Sequence, residues 1–252
     1  MILKGKSVVI TGVGPGMGRK LALAAARDGA RVAVSARSKA FIDGVRDEIV
    51  AAGGEAISVV TDVSRTEDCE ALAQAALTAF GRIDGVVNSA YYHPDWLTFE
   101  QADLDQWARA YDVACMGALR MIRAALPAMK AQGGGSVVNV STMATRRPMV
   151  GEGGYAIAKS GLNQVTRQLA VELGGYGVRV NSALMGWMMG APLEGYFQGN
   201  ADAKAEVIAR IPLGRVPPDE DCAKAVLFLL SDYASEVTGA ALEVNGGDWV
   251  AP

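Results

Sequence analysis

Histidine is almost missing from this chain: His93 is the only one in 252 residues. A multi-histidine metal site is therefore excluded, and a histidine-based triad would have to rest on one residue in a loop, just before Pro94. His93 reads as a loop histidine with no catalytic role. Cysteine is scarce too. Cys69, Cys115 and Cys222 are an odd number, far apart and without metal-ligand spacing, so buried free thiols are expected rather than a disulfide or a zinc framework. With no metal ligand set, proton chemistry falls to groups such as tyrosine and lysine, whose pKa values burial and neighbours can move.

Strong charge and long apolar runs are also lacking. The net charge is −3 with 20% charged residues, which gives no electrostatic reason to expect nucleic acid or an anionic membrane as partner. No segment approaches the ~18 uncharged residues of a membrane span, and "MILKGKSVVITG" holds no signal-like apolar run. The expectation is a cytoplasmic protein with a small-molecule partner. No repeat, low-complexity tract or linker divides the chain, so 1–252 reads as a single domain.

What is present is an alternation. Short, continuous, β-branched runs recur: "SVVITG" at 7, "RVAVSA" at 31, "AISVVT" at 56, "IDGVVNSA" at 83, "SVVNVS" at 136, "VRVNSAL" at 178 and "ALEVNGG" at 241. Runs of this kind are strands buried on both faces. Between them lie Ala- and Leu-rich segments with helical spacing, as in "MGRKLALAAARDG", where Leu21, Ala24, Ala25 and Ala26 line one or two faces. Ser64-Arg65-Thr66-Glu67 has the form of a capping box, and Gly29, Gly53 and Gly81 fall where left-handed helix stops belong. The fold class is α/β, a single-domain Rossmann-like doubly wound parallel sheet of about seven strands with helices on both faces. One irregular segment, at about 186–217, is too long for a tight connection; it reads as a substrate lid or binding loop, with a helical hairpin completing the core as the alternative.

Directly after the first run comes "TGVGPGMGRK". Its glycines allow a sharp turn and close approach to a pyrophosphate, which the positive end of the following helix stabilises. Gly12, Gly14, Gly16, Met17 and Gly18 are the cofactor candidates here. An acidic residue at the end of the second strand would hold the ribose of NAD, but the sequence there is Ala36-Arg37-Ser38. Arg37 with Ser38 suits a 2′-phosphate, so NADP(H) is favoured over NAD(H), the alternative being that Arg37 is only a solvated surface charge.

With Thr11-Gly12, Gly16 and Gly18 in a TGxxxGxG pattern, Asp62-Val63 after the third strand, Asn88-Ser89-Ala90 after the fourth, and Tyr155-x-x-x-Lys159, the chain resembles the classical short-chain dehydrogenase/reductase family along essentially its whole length. The resemblance implies that Asp62 and Val63 hold an adenine, that Asn88, Ala90 and Gly186 lie along the cofactor, and that the protein is a homotetramer or homodimer. It further implies that Tyr155 exchanges a proton with a carbonyl or alcohol oxygen while hydride passes to or from the nicotinamide, and that Lys159 holds the ribose. One helical turn places Lys159 on the face of Tyr155, where an ammonium is expected to lower the phenol pKa. The spacing is narrower than in the related enoyl reductases.

Three stretches depart from the family pattern. The catalytic serine position is Thr142, which keeps the hydroxyl but adds a methyl, while Ser141 alternates to the other side of the strand. The asparagine that positions a relay water is Ala114 in "YDVACMGAL". The usual Pro-Gly is Met185-Gly186, and a cofactor-contacting threonine falls at Gly190.

Tyr91, Tyr92, Trp96, Met143, Trp187, Met188, Tyr196 and Phe197 are candidates to wall an apolar substrate pocket, each with a core or interface role as the alternative. Arg146 and Arg147 read as paired surface charge. Two functions stand: an NADP(H)-dependent carbonyl reductase or alcohol dehydrogenase acting on a bulky hydrophobic ketone or secondary alcohol, and a cofactor-binding protein with weak or no catalysis, motivated by Ala114. Retention of Tyr155, Lys159 and the Thr142 hydroxyl favours the enzyme.

Overall fold

The computed structural model describes residues 1–250. In chain order its main elements are β1 (Ser7–Thr11), α1 (Met17–Arg27), β2 (Arg31–Ala36), α2 (Lys39–Ala51), β3 (Glu55–Val60), α3 (Thr66–Phe80) and β4 (Gly85–Asn88). These are followed by α4 (Leu104–Tyr111), α5 (Gly117–Ala131), β5 (Gly135–Thr142), α6 (Gly153–Leu173), β6 (Val178–Met185), α7 (Ala191–Phe197), α8 (Ala201–Arg210), α9 (Asp219–Leu230) and β7 (Ala241–Val244). The seven strands form one sheet in the order β3-β2-β1-β4-β5-β6-β7, and every neighbouring pair is parallel.

The continuous apolar runs explain the layers. All of β1 and β4 is buried, because helices cover both faces, whereas the edge strands β3 and β7 are only half-buried. Leu21 of α1, Ile42 and Ile49 of α2, and Val226 and Leu230 of α9 pack on one face with Val8 and Val32. Leu72 of α3, Met121 of α5 and Leu173 of α6 pack on the other with Val86 and Val137. Burying each such side chain contributes about 1.5–3 kcal/mol, so the sheet is the centre of two cores.

The sheet order changes direction at β1, which lies between β2 and β4, in register Val8 with Val32 and Val9 with Val86. The helices that follow β1 and β4 therefore lie on opposite faces of the sheet, which makes this the switch point where open α/β sheets bind ligands. Gly81, in the left-handed conformation, ends α3 as expected. The capping box does not form. Ser64 instead donates its hydroxyl to Asp62 Oδ1 at 2.7 Å, and α3 starts after Arg65 with no side-chain cap, because the turn following β3 has claimed the serine.

Helices α4 and α5 are one rod joined through a wide π turn at Asp112–Met116. The segment at 186–217 contains α7 and α8, which share a small apolar cluster of Phe197, Val207, Ile211 and Val216. A backbone bridge between Met189 and Pro218 closes its base. No helix among the described residues is long and apolar enough to cross a membrane.

Candidate active site

The glycine loop is shaped by contact. Gly12 has φ +72°, and a Cβ there would lie 2.4 Å from Ala90 Cα, so the loops after β1 and β4 touch backbone to backbone. A Cβ on Gly18 would meet Gly12 O at 2.7 Å, which is how α1 comes down close behind the turn. Gly14 and Gly16 have nothing within 4 Å of an added Cβ and face open space. A cavity of about 480 Å³ lies in front of this turn, lined among others by Gly12, Gly14, Arg37, Ser38, Asp62, Val63 and Ala90.

The cavity has the chemistry of a dinucleotide site: the N-terminus of α1 for pyrophosphate, a guanidinium at its rim, and a carboxylate at Asp62. Asp62 accepts from both the amide and the hydroxyl of Ser64, and these bonds, with Arg37 and Arg109 nearby, hold its carboxyl below the usual range. Asn88 donates to Asn139 Oδ1 at 2.9 Å, while its own Oδ1 is buried without a partner. Met17, Gly16, Gly18, Asn88 and Gly186 are not in the lining of this cavity. Met17 is buried in the core on the α1 face, and Gly186 donates to Val244 O, with room for no Cβ because Asn245 Cα stands 2.9 Å away.

Tyr155 and Lys159 share one face of α6. Lys159 is 2% exposed, and its Nζ donates to Val140 O at 2.7 Å on β5 and stands 6.0 Å from the Tyr155 ring centroid. Burial lowers the Lys159 ammonium to about 8. The phenol moves the opposite way from expectation: burial raises Tyr155 above its ordinary value, Tyr91 and Glu152 push in the same direction, and the Thr142 hydroxyl pulls it down. The Lys159 ammonium does not offset this, because with its own proton lost at about 8 it is neutral before so raised a phenol ionises. Ser141 is buried with an unpartnered hydroxyl, while half-buried Thr142 also accepts from Ala144 N.

Ala114 sits in the π turn, 3% exposed, in a small cluster with Ala110, Ala158 and Tyr92. Its methyl is therefore a packing contact between the α4–α5 rod and α6.

The aromatic candidates separate. Tyr91 and Tyr92 line the cavity, Tyr92 with Arg109 over its ring at 4.3 Å, and Trp96 stands over the Tyr155 region through His93. Met143 is buried beside Asn245, and Met188 packs against the α1 core. Phe197 is buried in the α7–α8 cluster, Trp187 packs against it, and exposed Tyr196 lies beside Phe197 with ring centroids 5.5 Å apart. Arg146 pairs with Glu243 and Arg147 with Asp248.

His93 is the residue that sequence reasoning set aside and the fold brings in. Its imidazole stacks on the Tyr155 ring at 4.8 Å between centroids and on Trp96 at 4.6 Å. Tyr91 meets the Tyr155 ring edge-on at 6.1 Å. Glu152, at the start of α6, is half-buried, and burial raises its carboxyl. One histidine before a proline carries no local signal for such a stack.

A family model described as "Enoyl-(Acyl carrier protein) reductase" matches residues 12–248. The cyclohexanol dehydrogenase of an Acinetobacter species is 34% identical over 96% of this chain and 94% of its own. The L-rhamnose 1-dehydrogenase (NAD(P)(+)) of a Sphingomonas species is 35% identical over 99% and 98%. A 7α-hydroxysteroid dehydrogenase solved with NADH and 7-oxo glycochenodeoxycholic acid superposes with a TM-score of 0.91 at 30% identity, over 97% of this chain and 94% of that one. Sheet order, glycine turn, Tyr155-Lys159 pair and these full-length similarities agree: the chain belongs to the classical short-chain dehydrogenase/reductase family and is an NAD(P)-dependent oxidoreductase.

Proposed function

We propose that the protein is an NADP(H)-dependent carbonyl reductase, reversible as an alcohol dehydrogenase, acting on a bulky, largely hydrophobic ketone or secondary alcohol. The observation that carries the reading is the buried Lys159 ammonium one turn from Tyr155, with the Thr142 hydroxyl acting on the same phenol. A phenol raised by burial is a proton donor in reserve, and the substrate oxygen becomes a stronger base as it is reduced. Ketone, NADPH and a proton give alcohol and NADP⁺, the cofactor supplying the hydride. Tyr155 gives the proton at Oη, Thr142 anchors the substrate oxygen, and Lys159 keeps positive charge beside the phenolate that forms.

NADP(H) is chosen over NAD(H) because Arg37 and Ser38 stand at the cavity rim and Ala36 occupies the position of a ribose-binding carboxylate. Gly12, Gly14, Gly16, Gly18, Asp62, Val63, Asn88 and Ala90 complete the cofactor site, and the α7–α8 segment is assigned as substrate lid. Exposed Tyr111, Met116, Ile157 and Val171 on the α4–α5 rod and α6 support a homodimer or homotetramer through these helices. The cyclohexanol and steroid names of the relatives support a cyclic substrate.

The test is to titrate NADPH by fluorescence and then follow its oxidation with a panel of cyclic and aromatic ketones, for wild type and Tyr155→Phe. Turnover that vanishes in Tyr155→Phe is the expected result. Tight NADPH binding with no turnover on any ketone would favour the cofactor-binding reading motivated by Ala114.

A further inference from the structure

Asp248 is the meeting point of three segments that are far apart in the chain. It lies in the turn that follows β7, where Asn245 accepts from Gly247 N at 2.8 Å and donates to Trp249 O at 2.7 Å. Arg210, the last residue of α8, donates from Nε and Nη2 at 3.2 and 3.3 Å, one bond to each oxygen of the Asp248 carboxylate. Arg147, in the loop after β5, donates to Oδ1 at 3.3 Å. Its neighbour Arg146 pairs instead with Glu243 and stands 5.9 Å from the Trp249 ring centroid, so Arg147 alone of these two joins the junction.

An ion pair open to water contributes little, but the Asp248 side chain is only 8% exposed and a guanidinium forks both of its oxygens. Backbone contacts run alongside. Leu213 N donates to Gly246 O at 3.1 Å, and a Cβ on Gly246 or Gly247 would meet Ile211 at 2.7 Å or Pro212 at 2.9 Å, so the turn lies directly against the chain leaving α8. On the other side, Arg147 N donates to Met143 O at 2.8 Å and Ala144 N donates to Thr142 Oγ1 at 3.2 Å. Arg147 therefore belongs to a tight turn that begins at Thr142.

We propose that Asp248 is a positioning residue whose carboxylate latches the α7–α8 lid, through Arg210, to the loop that starts at Thr142, through Arg147, and so holds the lid closed for substrate binding. This rests on the reductase reading and the lid assignment above. Substrate binds tightly only while the lid is closed, so releasing the latch lowers the closed fraction and raises KM by its inverse. Tyr155 and Lys159 are fixed on α6 and Thr142 on β5, so kcat is kept. Asp248, Arg147 and Arg210 are not in the lining of the dinucleotide cavity, so NADPH affinity is kept as well.

The experiment compares wild type with Asp248→Asn, Arg210→Gln, the double variant, and Asp248→Glu, which retains the charge. Two readouts are taken: the rate of chymotrypsin cleavage in the lid, where Tyr196 is exposed, without substrate, and KM and kcat for acetophenone and cyclohexanone with NADPH. Both single neutral variants are expected to be cleaved about tenfold faster and to raise KM about tenfold, with kcat within about threefold and NADPH affinity within about twofold of wild type. The double variant should be no worse than Asp248→Asn, because both changes break one contact, and Asp248→Glu should recover most of the loss. Lid cleavage unchanged in the variants, additive losses in the double variant, or kcat and NADPH affinity falling together with the rise in KM overturns the latch and leaves the reductase reading intact. Wild type that turns over no ketone of the panel overturns that reading instead, and the cleavage rates alone then decide whether the latch exists.

Discussion

Lys159 and Val140 are joined by a 2.7 Å hydrogen bond from a fully buried ammonium to a strand carbonyl, and this bond ties the helix of the candidate active site to the sheet. It also decides the electrostatics. The charge sits where water does not reach, its pKa falls to about 8, and the nearby phenol rises through its own burial.

Stability should show this buried charge. Between pH 8 and the ordinary lysine value of 10.5 the unfolded chain binds a proton at this position that the folded chain has lost, so unfolding free energy rises with pH across that window. Below pH 8 the cost of burying the ammonium is fully present. Lys159→Met removes the titration. Relative to this variant, wild type should gain on the order of 3 kcal/mol as pH climbs through the window, read as Tm difference against pH. A difference that stays flat from pH 7.5 to 10 would contradict the burial.

Tyr155→Phe should lower kcat by about 10²–10⁴-fold while leaving NADPH affinity within a few-fold, because the ring remains in its stack with His93 and only the proton is lost. Fluorescence titration and initial rates separate the two effects. Equal losses in both would place Tyr155 in cofactor binding alone.

Arg37→Asp should weaken NADPH binding by about 10–100-fold, since a bidentate charged contact becomes a repulsive one, and should leave NADH unaffected or improved. An unaltered ratio of the two affinities would remove the basis for NADP(H).

Gly12→Ala should cost about 1–3 kcal/mol in unfolding free energy and abolish dinucleotide binding. Its φ of +72° is strained for any L side chain, and the methyl would meet the Ala90 backbone at 2.4 Å. Gly14→Ala, with nothing within 4 Å of the added carbon, should leave the melting temperature within a few degrees of wild type. Similar Tm losses in the two variants would contradict this account of the turn.

Ala114→Asn tests the missing relay group. Because Ala114 packs against Ala110 and Ala158, the larger side chain should cost about 1–3 kcal/mol in stability, and it should alter kcat more than NADPH affinity. A changed affinity at constant kcat would place residue 114 outside proton supply.

The local pattern carried a great deal. Runs such as Ser7–Thr11 and Val178–Met185 are continuous and β-branched because both faces are covered, so a parallel α/β sheet follows from periodicity alone. The glycine turn between β1 and α1 and the one-turn spacing of Tyr155 and Lys159 are equally local, and the structure places them as read. Where neighbours in space decide, the pattern was silent or misleading. Ser64 offered itself as a helix cap and was taken by Asp62. Nor did any local spacing record that Phe197 is buried in the α7–α8 cluster with Trp187 packed against it.

His93 marks the boundary most plainly. By itself the sequence determined that a lone histidine excludes a multi-histidine metal site, and that Tyr155 and Lys159 lie on one helical face, because composition and a helical repeat need no partner from elsewhere. Only the tertiary structure decided that the loop after β4 folds back on α6, lays the imidazole on the Tyr155 ring and leaves Nε2 buried without a partner. The physical reason is that ring stacking, desolvation and unsatisfied hydrogen bonds are properties of groups brought together across the chain, and no residue's own type or spacing records what will lie against it.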